Sequence, residues 1–251
     1  MKKTTEQTAR CMLSPCCKTK KQVNIFICSL IVVLGISSFI VSAVNEADGN
    51  LLLNFRYMTV NGTLFTLIIS TMIVVLNMIE LKRGREFTSP LLYYTRLSSV
   101  VTEAIIGIVI AMSFLPFIPD NPNVMCYDSF NMHVTIPLLS IISFLINDHP
   151  VENMKPIMRL HCAWPITLYA TVVISMIIMG LIPQESIPYS FLEIYTRPLW
   201  YILLFAVLVY SCAYFLSWAL SEGNRRVSWI WTQKVGLQNK TEANGMPPQK
   251  L

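Results

Sequence analysis

The sequence predicts an all-α, polytopic integral membrane protein with six transmembrane helices and both termini cytoplasmic. Three observations lead there. Of 251 residues, 54% are hydrophobic and only 13% are charged, roughly half the charged content of about 25% found in soluble domains. The apolar residues fall in blocks of about twenty, enough to cross a bilayer core at about 1.5 Å of rise per residue. The basic residues, finally, gather on alternate linkers. An ordinary soluble enzyme, a disordered chain and a nucleic-acid module are thereby excluded.

The first block spans about 24–44 and contains no charge. It follows a basic segment, 1–23, and Val41-Ser42-Ala43 loosely resembles a cleavage site. A signal peptide's apolar region is only about 7–15 residues, so this block is read as a retained helix. The second spans about 57–79, between Arg56 and Glu80, and the third about 94–115, holding Glu103. The fourth, about 131–146, is the shortest and opens near His133; the fifth covers about 160–182 and the sixth about 198–220. Together they form one membrane domain, 24–221, followed by a polar tail, 222–251, expected to be mostly disordered. None of the blocks alternates with period two, which argues against a β-barrel. Backbone groups in lipid must be satisfied within the segment, so the blocks are helices.

Charge sets the orientation. Lys2, Lys3, Arg10, Lys18, Lys20 and Lys21 precede the first span; Lys82, Arg83 and Arg85 follow the second, and Lys155 and Arg159 follow the fourth. The tail adds Arg225, Arg226, Lys234, Lys240 and Lys250. That puts 16 of the 19 basic residues on one side, against Arg56 and Arg197 on the other. The net charge of +5 is explained by topology, and no nucleic-acid partner is assigned to it. The partner expected is the lipid bilayer. The sequence names no protein partner and does not separate plasma membrane from endomembrane.

The seven cysteines make no disulfide framework. Cys126 alone lies in an outer loop; Cys28, Cys162 and Cys212 read as small packing residues. Cys11, Cys16 and Cys17 are free thiols or acylation sites in the basic segment. No metal-ligand spacing is present, and no soluble cofactor is implied. Tyr57, Tyr127, Tyr189, Trp200, Trp218, Trp229 and Trp231 read as interfacial anchors.

Polar side chains inside spans are costly in lipid and mark where function can lie. Thr59, near the start of the second span, and His133, near the start of the fourth, share one depth because both spans run inward. A hydroxyl beside an imidazole can act as nucleophile with general base. The alternative is an interfacial threonine bonded to its own helix and an unrelated histidine. Asn61 and Asn131 stand two residues from each and are candidates for polar support. Glu103 is a third. A carboxylate at mid-span costs roughly 2.5–3.5 kcal/mol on insertion scales, so it is expected protonated and hydrogen-bonded to a side chain such as Thr66 or Ser70. A proton relay or a part in the catalytic site are its functional readings.

A thinly spread set of residues over about 24–220 resembles the androgen-induced membrane protein family and its bacterial six-helix relatives. The matching positions are Met58-Thr59, His133 with Pro137, Trp164-Pro165 with Tyr169, Gly180, and Ile187-Pro188-Tyr189-Ser190-Phe191-Leu192. The resemblance implies an androgen-dependent type of lipid-ester hydrolase acting on fatty acid esters of hydroxy fatty acids. Thr59 would be the nucleophile and His133 its base. The chain departs from the pattern in having Asn61-Gly62-Thr63 where relatives have Ser-Asn. It also has Ser143-Phe144 where bacterial relatives place an aspartate. Two other classes remain beside the hydrolase: a small membrane transporter or channel, and a non-catalytic membrane scaffold.

Overall fold

The structure is a computed structural model that describes residues 15–45, 54–87, 89–113, 126–147, 150–151, 154–187, 189 and 192–243. Among them every regular element is helical. In chain order these are α1 (Pro15–Asn45), α2 (Met58–Arg83), α3 (Pro90–Ser113) and α4 (Tyr127–Phe130). A single π turn, Asn131–Thr135, joins α4 to α5 (Ile136–Asn147); then come α6 (Pro156–His161), α7 (Trp164–Ile178) and α8 (Leu199–Ala243). Five helical runs are long and apolar enough to cross a membrane: Cys17–Val44, Met58–Arg83, Pro90–Met112, Tyr127–Ile146 and Leu199–Trp231.

Two expectations are corrected. The fifth apolar block, read as one span over about 160–182, is broken into α6 and the 15-residue α7. Pro165 is the local reason: it lacks an N–H and its ring suits only the first turn of a helix, so α7 restarts at Trp164. At its other end Gly180 takes φ +70°, and the Leu181 N–H reaches back to the Met176 carbonyl at 2.9 Å, a glycine-terminated helix stop. The second correction concerns the tail. Beyond Glu222, where composition suggested disorder, α8 continues to Ala243. The fully buried Asn224 donates to the Phe144 and Leu145 carbonyls at 3.1 and 3.3 Å. Those carbonyls lie in the last turn of α5, where intrahelical donors run out.

The core lies around α3. Leu97, Val101 and Ile105 pack with Phe144 of α5, Ala213 and Leu220 of α8, and Ile166 of α7. α1 packs on α2 through Cys28 against Ile69 and Ile73. The Leu67 side chain of α2 packs directly onto Gly35 of α1, where an added β-carbon would stand 2.4 Å from its Cδ2. Outward faces are apolar, with Phe26, Val33, Leu203, Val207 and Phe215 exposed, as lipid contact requires.

The buried polar side chains lie inside the bundle. On α2, Thr59, Thr63, Thr66, Ser70, Asn77 and Glu80 are all buried, at intervals of four, three, four, seven and three residues. That spacing keeps them on one helical face. Against α2 the helix α3 sets Ser99, on Thr66, and Thr102 and Glu103, beside Gly62. In lipid, where burial of apolar groups gives little between helices, such polar contacts and close packing supply association.

Candidate functional site

The chain enters α2 through an extended Tyr57 that offers no side-chain cap, so the first amides of the helix need other partners. The Met58 N–H finds one in the Tyr189 hydroxyl at 3.2 Å. Tyr169 of α7 donates its hydroxyl proton to the Arg56 carbonyl. Asn61 turns its amide back onto the Phe55 and Tyr57 carbonyls, at 2.6 and 2.9 Å. The position of Thr59 is thus set by three side chains from different parts of the sequence. Thr59 is 8% exposed.

His133 is carried by the π turn, whose Ile136 N–H bonds to the Asn131 carbonyl five residues back. Pro137 accounts for it. An α-helix here would need an N–H at position 137 for the His133 carbonyl, and proline has none, while its ring crowds that carbonyl. The widened turn relieves both. The His133 carbonyl then lies against α3, 3.6 Å from where a β-carbon at Gly107 would stand.

The two predicted residues meet. Thr59 Oγ1 is 3.1 Å from His133 Nε2 although 74 positions separate them. His133 Nδ1 lies 2.7 Å from the Ser129 carbonyl oxygen and 3.1 Å from Ser129 Oγ. A carbonyl can only accept, so Nδ1 carries the proton and donates to it. Nε2 then presents its lone pair to the threonine hydroxyl. Nucleophile, base and a third group that orients the base are the three parts an activated hydroxyl needs. The orienting group here is a neutral backbone carbonyl.

Tyr189 was placed by the sequence as an interfacial anchor within a resembling segment, with no role at Thr59. Its hydroxyl bears on Thr59 as well as on Met58, and burial raises its phenol above the usual range, which keeps it protonated. The signal for it was its membership of the Ile187–Leu192 segment rather than any local pattern. Arg96 was missed altogether. It is 3% exposed and donates to Ser143 Oγ at 2.6 Å, while Ser143 in turn donates to Asn24. A lone guanidinium in an apolar block was a sufficient signal.

The three support candidates do not hydrogen-bond to the pair. Asn61 secures the start of α2, and Asn131 is buried in the π turn with Nδ2 lacking a hydrogen-bond partner. Glu103 is fully buried, its Oε1 4.0 Å from the β-carbon position of Gly62, one turn along α2 from Thr59. Of the partners expected for it, Thr66 bears on the carboxyl, and the Thr66 hydroxyl also lies 2.8 Å from Ser99 Oγ. Among the described residues no three His, Cys, Asp or Glu side chains cluster as a metal would need. Comparison with family models, with curated proteins and with solved structures finds no match.

Proposed function

We propose that the chain is an intramembrane lipid-ester hydrolase of the androgen-induced type, with Thr59 as nucleophile and His133 as general base. The observation that carries this reading is the double placement of one imidazole, Nδ1 on the Ser129 carbonyl and Nε2 on Thr59 Oγ1. In the first half-reaction Thr59 Oγ1 attacks the ester carbonyl carbon while its proton passes to Nε2. The negative charge that develops on the carbonyl oxygen is met by the Tyr189 hydroxyl, a donor at the position where such charge is stabilised. The tetrahedral centre collapses, the alkoxide leaves with the proton from Nε2, and an acyl-threonine remains. Water then attacks that acyl carbon, gives a proton to Nε2, and collapse releases the fatty acid and restores Thr59.

The substrates that fit are fatty acid esters of hydroxy fatty acids, as the family resemblance implies. The charge asymmetry supports six crossings with both termini cytoplasmic, the fifth being made by the broken pair α6 and α7 rather than by one continuous helix. In that orientation the pair sits just under the outer headgroups, where a branched ester enters sideways from lipid and water arrives from outside. Purified protein should label covalently with a fluorophosphonate probe and hydrolyse such esters. Both signals should fall at least a hundredfold in Thr59→Ala and in His133→Ala. Equal labelling of all three proteins would remove the hydrolase reading. The buried file of Thr63, Thr66, Ser99 and Glu103 would then favour a transport role, to be read as flux into proteoliposomes.

A further inference from the structure

The end of the bundle opposite Thr59 and His133 holds a concave site. There α1, α2 and α3 enclose a cavity of about 270 Å³, about 30 Å from Thr59 along α2 by helical rise. Its polar lining comes from Lys21, Asn24, Asn77, Glu80 and Ser89, the Asn24 Oδ1 already accepting from Ser143. Its apolar lining includes Ile73, Leu76 and Tyr93. Lys21 and Glu80 are 7% and 6% exposed and form an ion pair. Glu80 uses its other oxygen to accept the Phe87 N–H. Both carboxylate oxygens are therefore engaged, and the negative charge is balanced.

What the cavity has left to offer is donors. The Lys21 ammonium carries three protons, one of which goes to Glu80. Asn77 is 7% exposed, and its Nδ2 is buried without a hydrogen-bond partner. A buried donor of this kind costs about 1–3 kcal/mol unless something accepts from it. The occupant must bring acceptor oxygens. Charge at the rim gives the sign: Lys18, Lys82, Arg83 and Arg85 are exposed at this end, against the nearby Glu86, which accepts a hydrogen bond from the Cys17 thiol at 2.5 Å. The wall beside the cavity is lipid-like, with Phe87 63% and Leu91 75% exposed. An occupant with anionic oxygens and an apolar tail satisfies all three features.

We propose that this cavity binds the phosphate of an anionic phospholipid headgroup. The phosphate oxygens accept from Asn77 Nδ2 and Lys21 Nζ, and the acyl chains run out past Phe87 and Leu91. Basic pockets between transmembrane helices are a recurrent form of headgroup recognition. The site is independent of the chemistry at Thr59 and His133.

The test uses the full chain purified in neutral detergent and follows thermal unfolding during titration with dioctanoyl phosphatidic acid, dioctanoylglycerol or inorganic phosphate. Saturable stabilisation by the phosphatidic acid is expected, with none from dioctanoylglycerol and none from phosphate alone. Asn77→Leu should weaken the apparent affinity at least tenfold. Leu76→Trp, which fills the cavity from an apolar helix position, should do the same and covers the case in which Asn77→Leu does not fold. Stabilisation by inorganic phosphate with the same dependence on position 77 would assign the site to free phosphate and overturn the lipid assignment. Equal response to dioctanoylglycerol, or wild-type affinity in either folded variant, would overturn the proposal outright.

Discussion

His133 commits its two ring nitrogens to different kinds of atom, a carbonyl on one side and a hydroxyl on the other. That fixes the tautomer without any carboxylate. The common depth of Thr59 and His133 was legible from the charge pattern, because it puts the starts of α2 and α4 at the same end of the bundle. The contact of Tyr189 with the start of α2 was not legible. It joins residues 131 positions apart across a link whose path no local pattern dictates. If the Tyr189 hydroxyl stabilises the oxyanion, Tyr189→Phe should lower kcat for ester hydrolysis about 100-fold, the lower end of losses for a single oxyanion donor. KM should change little. A loss confined to KM would instead make Tyr189 a binding contact.

At the level of the helix, the π turn is what aims the imidazole. An extra residue in the turn rotates everything before it by about 100° relative to an unbroken α-helix, so His133 would otherwise face elsewhere. Such single turns recur at functional positions. Pro137→Ala returns the missing N–H and lets an α-helix close from position 137 to the His133 carbonyl. The variant should fold, keep its helical circular dichroism and lose at least tenfold in fluorophosphonate labelling. Full labelling would mean that the turn is not needed to present His133. The polar face of α2 was open to recognition from its spacing alone, since Thr59, Thr63, Thr66 and Ser70 follow the helical repeat. It is easily overlooked because lipid and core are both apolar, so the usual contrast between an inside and an outside face is absent. The break in the fifth block had a visible cause in Pro165, but composition alone continued the span through it.

For the molecule as a whole, the blocks and the basic residues together made the membrane bundle readable before any packing was known. The order of packing was not readable. That α3 is central, and that α8 runs on past its apolar stretch to dock Asn224 on the end of α5, depends on contacts between segments far apart in sequence. The proposed orientation has a direct check in the protein's own thiols. Cys126 is free and exposed, at the end that carries Thr59 and His133. A membrane-impermeant maleimide applied to intact cells displaying the protein at the plasma membrane should label wild type and not Cys126→Ser. Labelling of Cys11, Cys16 and Cys17 should require permeabilisation. The reverse pattern would invert the topology and put the Thr59 end in the cytoplasm.

The backbone carbonyl behind His133 has one more consequence. With no carboxylate in that place, the resting pair of Thr59 and neutral imidazole carries no formal charge. It therefore feels little of the leaflet's surface potential or the transmembrane voltage, both of which act on net charge. Changes in ionic strength or in the proportion of anionic lipid would alter how substrate is delivered while leaving the nucleophile equally ready. A neutral pair is also the form least penalised by a low-dielectric surround, which suits the role proposed for Thr59 and His133.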